Sequence, residues 1–249
     1  MSRTDVAIKT PSGECRAFVF RPDEGAGPWP AVIHYMDAPG IRPVLFEMCQ
    51  EIADHGYLVL LPDLFFRAGP YEPINLREIF GDQAKREHFW KTYVSTTSIT
   101  KVVEDTSCFL AYLDTLEDVG GERIGVTGYC MGGGMALTVA GRFPERVAAA
   151  ASFHGGRLAT DSEHSPHRLA PQIKARILVA GADRDQSFPP EQRDLLAAAL
   201  DDAGIDHRTE IWEGALHGWT MRDQPVYNEE AAKRHMRELV SLLDATLKA

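Results

Sequence analysis

The chain has 249 residues, with 36 acidic residues against 26 Lys and Arg, a formal net charge of −10. A hydrophobic fraction of 44% with 9% aromatics is that of a folded domain and excludes a disordered chain. The acidic balance argues against nucleic acid or an anionic membrane as the main partner, and no apolar run reaches membrane-spanning length.

The start, Met1 to Asp5, contains no apolar stretch of the kind a secretory signal needs. Val6–Thr10 and Cys15–Phe20, separated by Pro11-Ser12-Gly13, read as an antiparallel hairpin, and Arg21 to Pro30 as a loop. Ala31–Met36 reads as a strand that stops at Asp37-Ala38-Pro39-Gly40. A helix is predicted from Pro43 to His55, with Leu45, Met48, Cys49 and Ile52 on one face and Gly56 as its stop. Tyr57–Leu61 is the continuous apolar run of a strand covered on both faces, ending at Pro62-Asp63-Leu64. The segment 65–93 is irregular and aromatic, with charged helical pieces around Leu76–Phe80 and Ala84–Tyr93. It can serve as a lid-like insertion or simply complete the core.

Ile99 to Leu116 has a helical apolar pattern and leads through Gly120-Gly121 into a β-branched run that ends in Gly128-Tyr129-Cys130-Met131-Gly132. A further helical pattern, Met135–Ala140, follows. Strand, then G-x-nucleophile-x-G, then helix is the nucleophile elbow of α/β-hydrolases, with cysteine as the nucleophile. The turn strains the central residue and lifts its side chain above the sheet, so the positions two before and two after must lack bulk. The following helix turns its free N–H groups toward the sulfur, which favours thiolate. A lone G-x-C-x-G recurs by chance, but the readable strand and helix on either side set this one apart. A phosphate loop would end in Lys-Ser/Thr, which is missing here.

Three further strands are predicted at Val147–Phe153, Ala175–Ala180 and His207–Trp212, with helices over Pro190–Ala203 and Glu229–Leu247. Strands alternating with helices predict a mostly parallel sheet with helices on both faces, in one α/β domain spanning 1–249. Cys15, Cys49, Cys108 and Cys130 show neither C-x-x-C nor paired spacing, as expected of reduced thiols in a cytoplasmic protein without a disulfide framework or zinc site. No metal or other cofactor is expected. His34 lies within a strand and reads as a core residue, and His164-Ser165-Pro166-His167 reads as a surface loop. His154 ends a strand and could approach the site, but it precedes both candidate acids.

A cysteine at an elbow needs a base and a group that orients the base. In the hydrolase chain order both partners come from loops after later strands, and two places qualify. Asp183 and Asp185 follow the strand ending near Gly181. His217 follows the strand ending at Trp212, between Gly214 and Gly218.

Gly128-Tyr129-Cys130-Met131-Gly132-Gly133, Pro62-Asp63-Leu64-Phe65-Phe66-Arg67 and the His217-Gly218-Trp219 loop resemble the dienelactone hydrolase family over essentially the whole chain. The resemblance implies an α/β-hydrolase fold and hydrolysis of an enol-lactone or related ester by a Cys-His-Asp triad. Cys130 and His217 carry over directly. The family's acid stands four residues before a proline, which matches Asp185, with Pro189 following, and not Asp183. The resemblance also assigns Asp37 to an acid that touches the resting thiol, and Arg67 to an arginine that pairs with a substrate carboxylate. A second family arginine, four residues past the histidine, is Met221 here, with Arg222 one place further. The backbone N–H groups of Met131 and Ala38 would form the oxyanion hole.

The expected function is therefore hydrolysis of a small lactone or activated ester. A thioesterase or general carboxylesterase would use the same residues. A reading of another class is a non-catalytic fold in which Cys130 senses oxidants.

Overall fold

A computed structural model describes residues 2–72, 74, 79 and 81–248. Eight strands form one sheet in the order β1-β2-β4-β3-β5-β6-β7-β8. They are β1 (Ser2–Thr10), β2 (Gly13–Arg21), β3 (Trp29–Tyr35), β4 (Leu58–Pro62), β5 (Val119–Tyr129), β6 (Val147–Phe153), β7 (Arg176–Ala182) and β8 (His207–Trp212). The hairpin β1–β2 and the β2–β4 pair are antiparallel, and every pair from β4 to β8 is parallel. The order reverses between β4, β3 and β5, so the carboxyl ends of the central strands open a crevice there, where ligands of such sheets bind.

The α-helices are α1 (Pro43–Asp54), α2 (Gln83–Thr92), α3 (Ile99–Leu113), α4 (Met131–Arg142), α5 (Pro190–Asp202) and α6 (Glu229–Leu247). Alternation along β5 separates the two faces. A Cβ on Gly125 would lie 2.5 Å from Leu243 of α6, whereas a Cβ on Gly128 would run into α4. The helix α6 thus covers one face beside α1, with the Tyr57 hydroxyl donating to Asp244 at 2.6 Å, and α4 covers the other with α3 beside it. The strands β4 and β6 are buried throughout, as expected for strands packed on both sides. No helix among the described residues is long and apolar enough to cross a membrane.

Among the boundaries that differ from the sequence reading, two lie on the elbow strand and helix. Gly120 and Gly121, read as leading into the elbow strand, lie inside β5, where Gly120 pairs beside Pro30. The helix after the elbow begins at Met131, four residues earlier than its apolar pattern, because Gly132, Gly133 and Gly134 form its first turn. Helix propensity disfavours glycine there, but close packing against β3 and β6 overrides it. Of the two helical pieces expected in 65–93, the second is α2. The first, Leu76–Phe80, falls largely outside the described residues.

Candidate active site

Cys130 sits between β5 and α4 with φ 53° and ψ −113°, a backbone region that costs a non-glycine residue on the order of 1–3 kcal/mol. Two hydrogen bonds hold it there. Its N–H donates to the Phe153 carbonyl at 3.1 Å, and its own carbonyl accepts from Gly133 N–H at 3.1 Å. Space dictates the flanking glycines: a Cβ on Gly128 would lie 1.9 Å from the Gly132 oxygen, and one on Gly132 2.3 Å from the Tyr35 oxygen. The same close approach sets the end of β3 against the first turn of α4. Ala38, just past β3, and Met131, the first residue of α4, consequently line one cavity with Cys130. At the start of a helix the N–H groups have no intrahelical acceptor, and the positive end of the helix dipole is directed to the same place.

His217 reaches this cavity on the loop after β8, where Gly214 and Gly218 take φ 76° and 100°. Its Nδ1 lies 2.6 Å from Asp185 Oδ2, on the loop after β7. The other Asp185 oxygen accepts from the Ser187 N–H at 2.8 Å and from its hydroxyl at 2.7 Å. Asp183 points elsewhere: it accepts from Gly214 N–H at 3.1 Å while its N–H donates to the Ala215 carbonyl. It fastens the histidine loop to the end of β7, and Asp185 is the acid that meets the imidazole.

Burial disfavours a charged His217 ring, but the hydrogen bond to Asp185 and the nearby Cys130 sulfur outweigh it, pushing its pKa up to about 10. For Asp185, burial is likewise outweighed, by hydrogen bonds from His217 and Ser187, and its pKa falls to about 2. The ring of His154, fully buried with φ 40°, lies 5.2 Å from that of His217 and bonds Thr220 through Nε2 at 2.8 Å. Burial holds it far below the usual histidine range, so it remains a neutral wall behind the His217 ring. His34 is buried and stacks on Tyr129 at 4.6 Å, a core residue as its strand position implies.

The two substrate positions implied by the resemblance have other partners. Asp37, 1% exposed, is held by Arg42 through bonds of 2.5 and 2.8 Å. Arg67 makes bonds of 2.9 and 2.8 Å to the buried Asp105 and a third to Ser12. Neither lines the cavity that holds Cys130 and His217. The physical reason is the same for both: a desolvated counter-ion within hydrogen-bond reach outcompetes an open cavity. No group of three or more His, Cys, Asp or Glu among the described residues is placed to hold a metal ion.

Sequence reasoning missed Ser187, Arg42 and Arg157. Ser187 had a local signal, Asp-x-Ser, in which a carboxylate caps an N–H two residues on. Arg42 had none, since its second partner, Asp223, is 181 residues away. His164, read as a surface residue, does stand exposed but on the cavity rim.

A thiol on a strand–turn–helix elbow, with a histidine and a carboxylate brought to it by the next strands of a mostly parallel sheet, defines an α/β-hydrolase. The dienelactone hydrolase family model matches residues 15–247, and the chain belongs to that family. A carboxymethylenebutenolidase homolog of Xenopus tropicalis is 28% identical over 217 residues, covering 86% of this chain and 79% of that protein. Two solved structures share the fold. A candidate dienelactone hydrolase of Klebsiella pneumoniae has a TM-score of 0.82 at 23% identity, covering 96% of this chain and 97% of its own. The dienelactone hydrolase of Anabaena variabilis has a TM-score of 0.66 at 18% identity, covering 99% and 98%.

Proposed function

We propose that the chain hydrolyses a lactone or activated carboxylic ester by way of an acyl-cysteine intermediate, with Cys130 as nucleophile, His217 as acid and base, and Asp185 as the group that orients His217. The observation that carries this reading is the 2.6 Å Asp185–His217 bond on a ring that lines one cavity with Cys130. With Nδ1 committed to Asp185, Nε2 serves the sulfur.

The Cys130 thiolate attacks the carbonyl carbon, and the C=O π pair moves onto oxygen. That oxyanion accepts from the N–H groups of Met131 and Ala38, each such donor being worth about 3–4 kcal/mol in comparable sites. Collapse forms the thioester and breaks the C–O bond, with the leaving alkoxide taking its proton from His217. In a lactone, the alcohol so formed remains attached to the acyl group. His217 then takes a proton from water, the hydroxide adds to the thioester, and the thiolate leaves with the C–S pair, which frees the acid. Thiolate is a better leaving group than amide nitrogen, so its adduct with an amide reverts. Activated esters and lactones are therefore favoured over peptides. A chemistry that needs a free thiol fits a cytoplasmic enzyme.

Intact-protein mass spectrometry after brief incubation with a panel of lactone, aryl ester and acyl thioester tests the reading. The expected result is an acyl adduct on Cys130 with lactone or aryl ester, absent together with turnover in Cys130→Ala. Turnover confined to the acyl thioester would point to a thioesterase. Inactivity across the panel, with a thiol that reacts readily with peroxide, would leave the redox-sensing reading.

A further inference from the structure

The cavity above Cys130 has a volume of roughly 760 Å³. No aspartate or glutamate is among its described lining residues, in a chain with a net charge of −10. Its apolar side includes Trp90, Val94 and Met135, and its polar side carries hydroxyls with Arg157 and His164 at the rim. Arg157 is the one permanent cation among these lining residues, and no carboxylate among the described residues forms an ion pair with its guanidinium. The two arginines that the resemblance points to are engaged elsewhere, Arg67 with Asp105 and Arg222 near Glu47 and Glu51.

The backbone of Arg157 is also unusual. It takes φ 57°, in the left-handed region that favours glycine, directly after Gly155 and Gly156. Its N–H donates to the Ser187 carbonyl at 2.6 Å, and Ser187 in turn holds Asp185. An arginine is thus held at a strained position, on the same loop framework that fixes the triad acid, with its charge unneutralised at the cavity mouth. Strain retained at a non-glycine residue beside a cavity is where a functional side chain is to be sought.

We propose that Arg157 is a specificity-determining residue that receives an anionic group, carboxylate or phosphate, carried by the substrate away from the carbonyl under attack. This rests on the hydrolase reading above. A guanidinium offers paired N–H donors to either anion, and a charged hydrogen bond of this kind is worth about 1.5–3 kcal/mol, or roughly 10–100-fold in kcat/KM.

The test compares aryl esters matched in length: monoaryl succinate against aryl butyrate for the carboxylate, with an aryl 3-phosphonopropanoate as the phosphate arm. Wild-type enzyme is expected to prefer one or both anionic esters, and the arm that wins identifies the anion. In Arg157→Gln the anionic-to-neutral ratio of kcat/KM should fall by about 10–100-fold. Arg157→Gly should do the same, since glycine adopts the left-handed backbone freely and removes only the cation. Arg157→Glu should invert the preference, and raising salt should shrink it in wild type alone. A ratio unchanged in both Gln and Gly variants overturns the assignment. If wild type turns over none of the esters, the hydrolase reading falls on its own. Arg157 is then judged by calorimetric binding of the succinate ester to Cys130→Ala: equal affinity in Cys130→Ala and Cys130→Ala/Arg157→Gln overturns it.

Discussion

At the scale of the residue, the site turns on where His217 holds its proton. Asp185 and the Cys130 sulfur together lift its pKa to about 10 against the cost of burial, so the ring is expected to remain an imidazolium across neutral pH. Histidine ring NMR checks this: wild-type His217 should titrate near pH 10. In Asp185→Asn or Cys130→Ala, a cause of the rise is gone while burial remains, so the midpoint should move down toward 6.5 or below. A wild-type midpoint near 6.5 would refute the coupled arrangement. Asp185→Asn should also lower kcat by about 10²–10⁴-fold with a small change in KM, because it loses orientation and charge without touching the acyl pocket. Asp183→Asn, one strand-end residue away and bonded to Gly214, should have a far smaller effect on steady-state kcat.

At the scale of the element, the site depends on loops from distant parts of the chain being held together. Arg42 binds Asp37, beside Ala38 on the cavity wall, and through Nε binds Asp223 at 2.6 Å, on the segment that follows His217. It fastens the β3 loop to the histidine loop while being only 3% exposed. Removing it by Arg42→Ala leaves Asp37 buried without a counter-charge, which should cost about 3–5 kcal/mol in urea unfolding. The double variant Asp37→Asn/Arg42→Met removes both charges and should lose less than Arg42→Ala alone. A larger loss in the double variant would mean that packing, not charge compensation, holds this joint. The elbow obeys a different constraint, that of contact distance. The first turn of α4 lies so close to Tyr35 and Ser152 that only glycine fits at 132 and 133, which is why a helix begins where propensity is poorest.

At the scale of the whole molecule, pH acts through histidines of opposite behaviour. Burial lowers the pKa values of His34 and His235 to about 3, and holds His154 well below the usual range. These three bind protons when unfolded but not when folded, so their contribution is complete above about pH 6.5 and is lost as pH falls toward 3. Each contributes a slope of about 1.4 kcal/mol per pH unit at most. His217 has the opposite sign: it holds its proton folded and loses it unfolded, so its contribution is present below 6.5 and lost as pH rises through about 10. Buried Cys15 and Cys49, whose thiols burial pushes up, add to the alkaline loss. Stability measured by urea unfolding across pH 4 to 10 should peak near neutrality and fall more steeply on the acid side. A steeper alkaline side would contradict this balance.

Much of this architecture is legible along the chain, because strand, helix and elbow are written in local patterns. The apolar run Tyr57–Leu61, the glycines around Cys130 and the placement of His217 after a late strand each follow from spacing and side-chain size alone. The choice of Asp185 over Asp183 rests on a resemblance, and in the fold Asp185 is the one of the two bonded to His217. Pairing through space was not legible. Arg42 with Asp37 and Asp223, Arg67 with Asp105, and Arg157 with no acid among the described residues depend on which loops meet above the sheet. By itself the sequence determined which elements form and which thiol stands at the turn, since those depend on neighbours a few residues away. Only the tertiary structure decided which charges are spent on each other and which face the cavity, because desolvated ion pairs form wherever the fold brings opposite charges together.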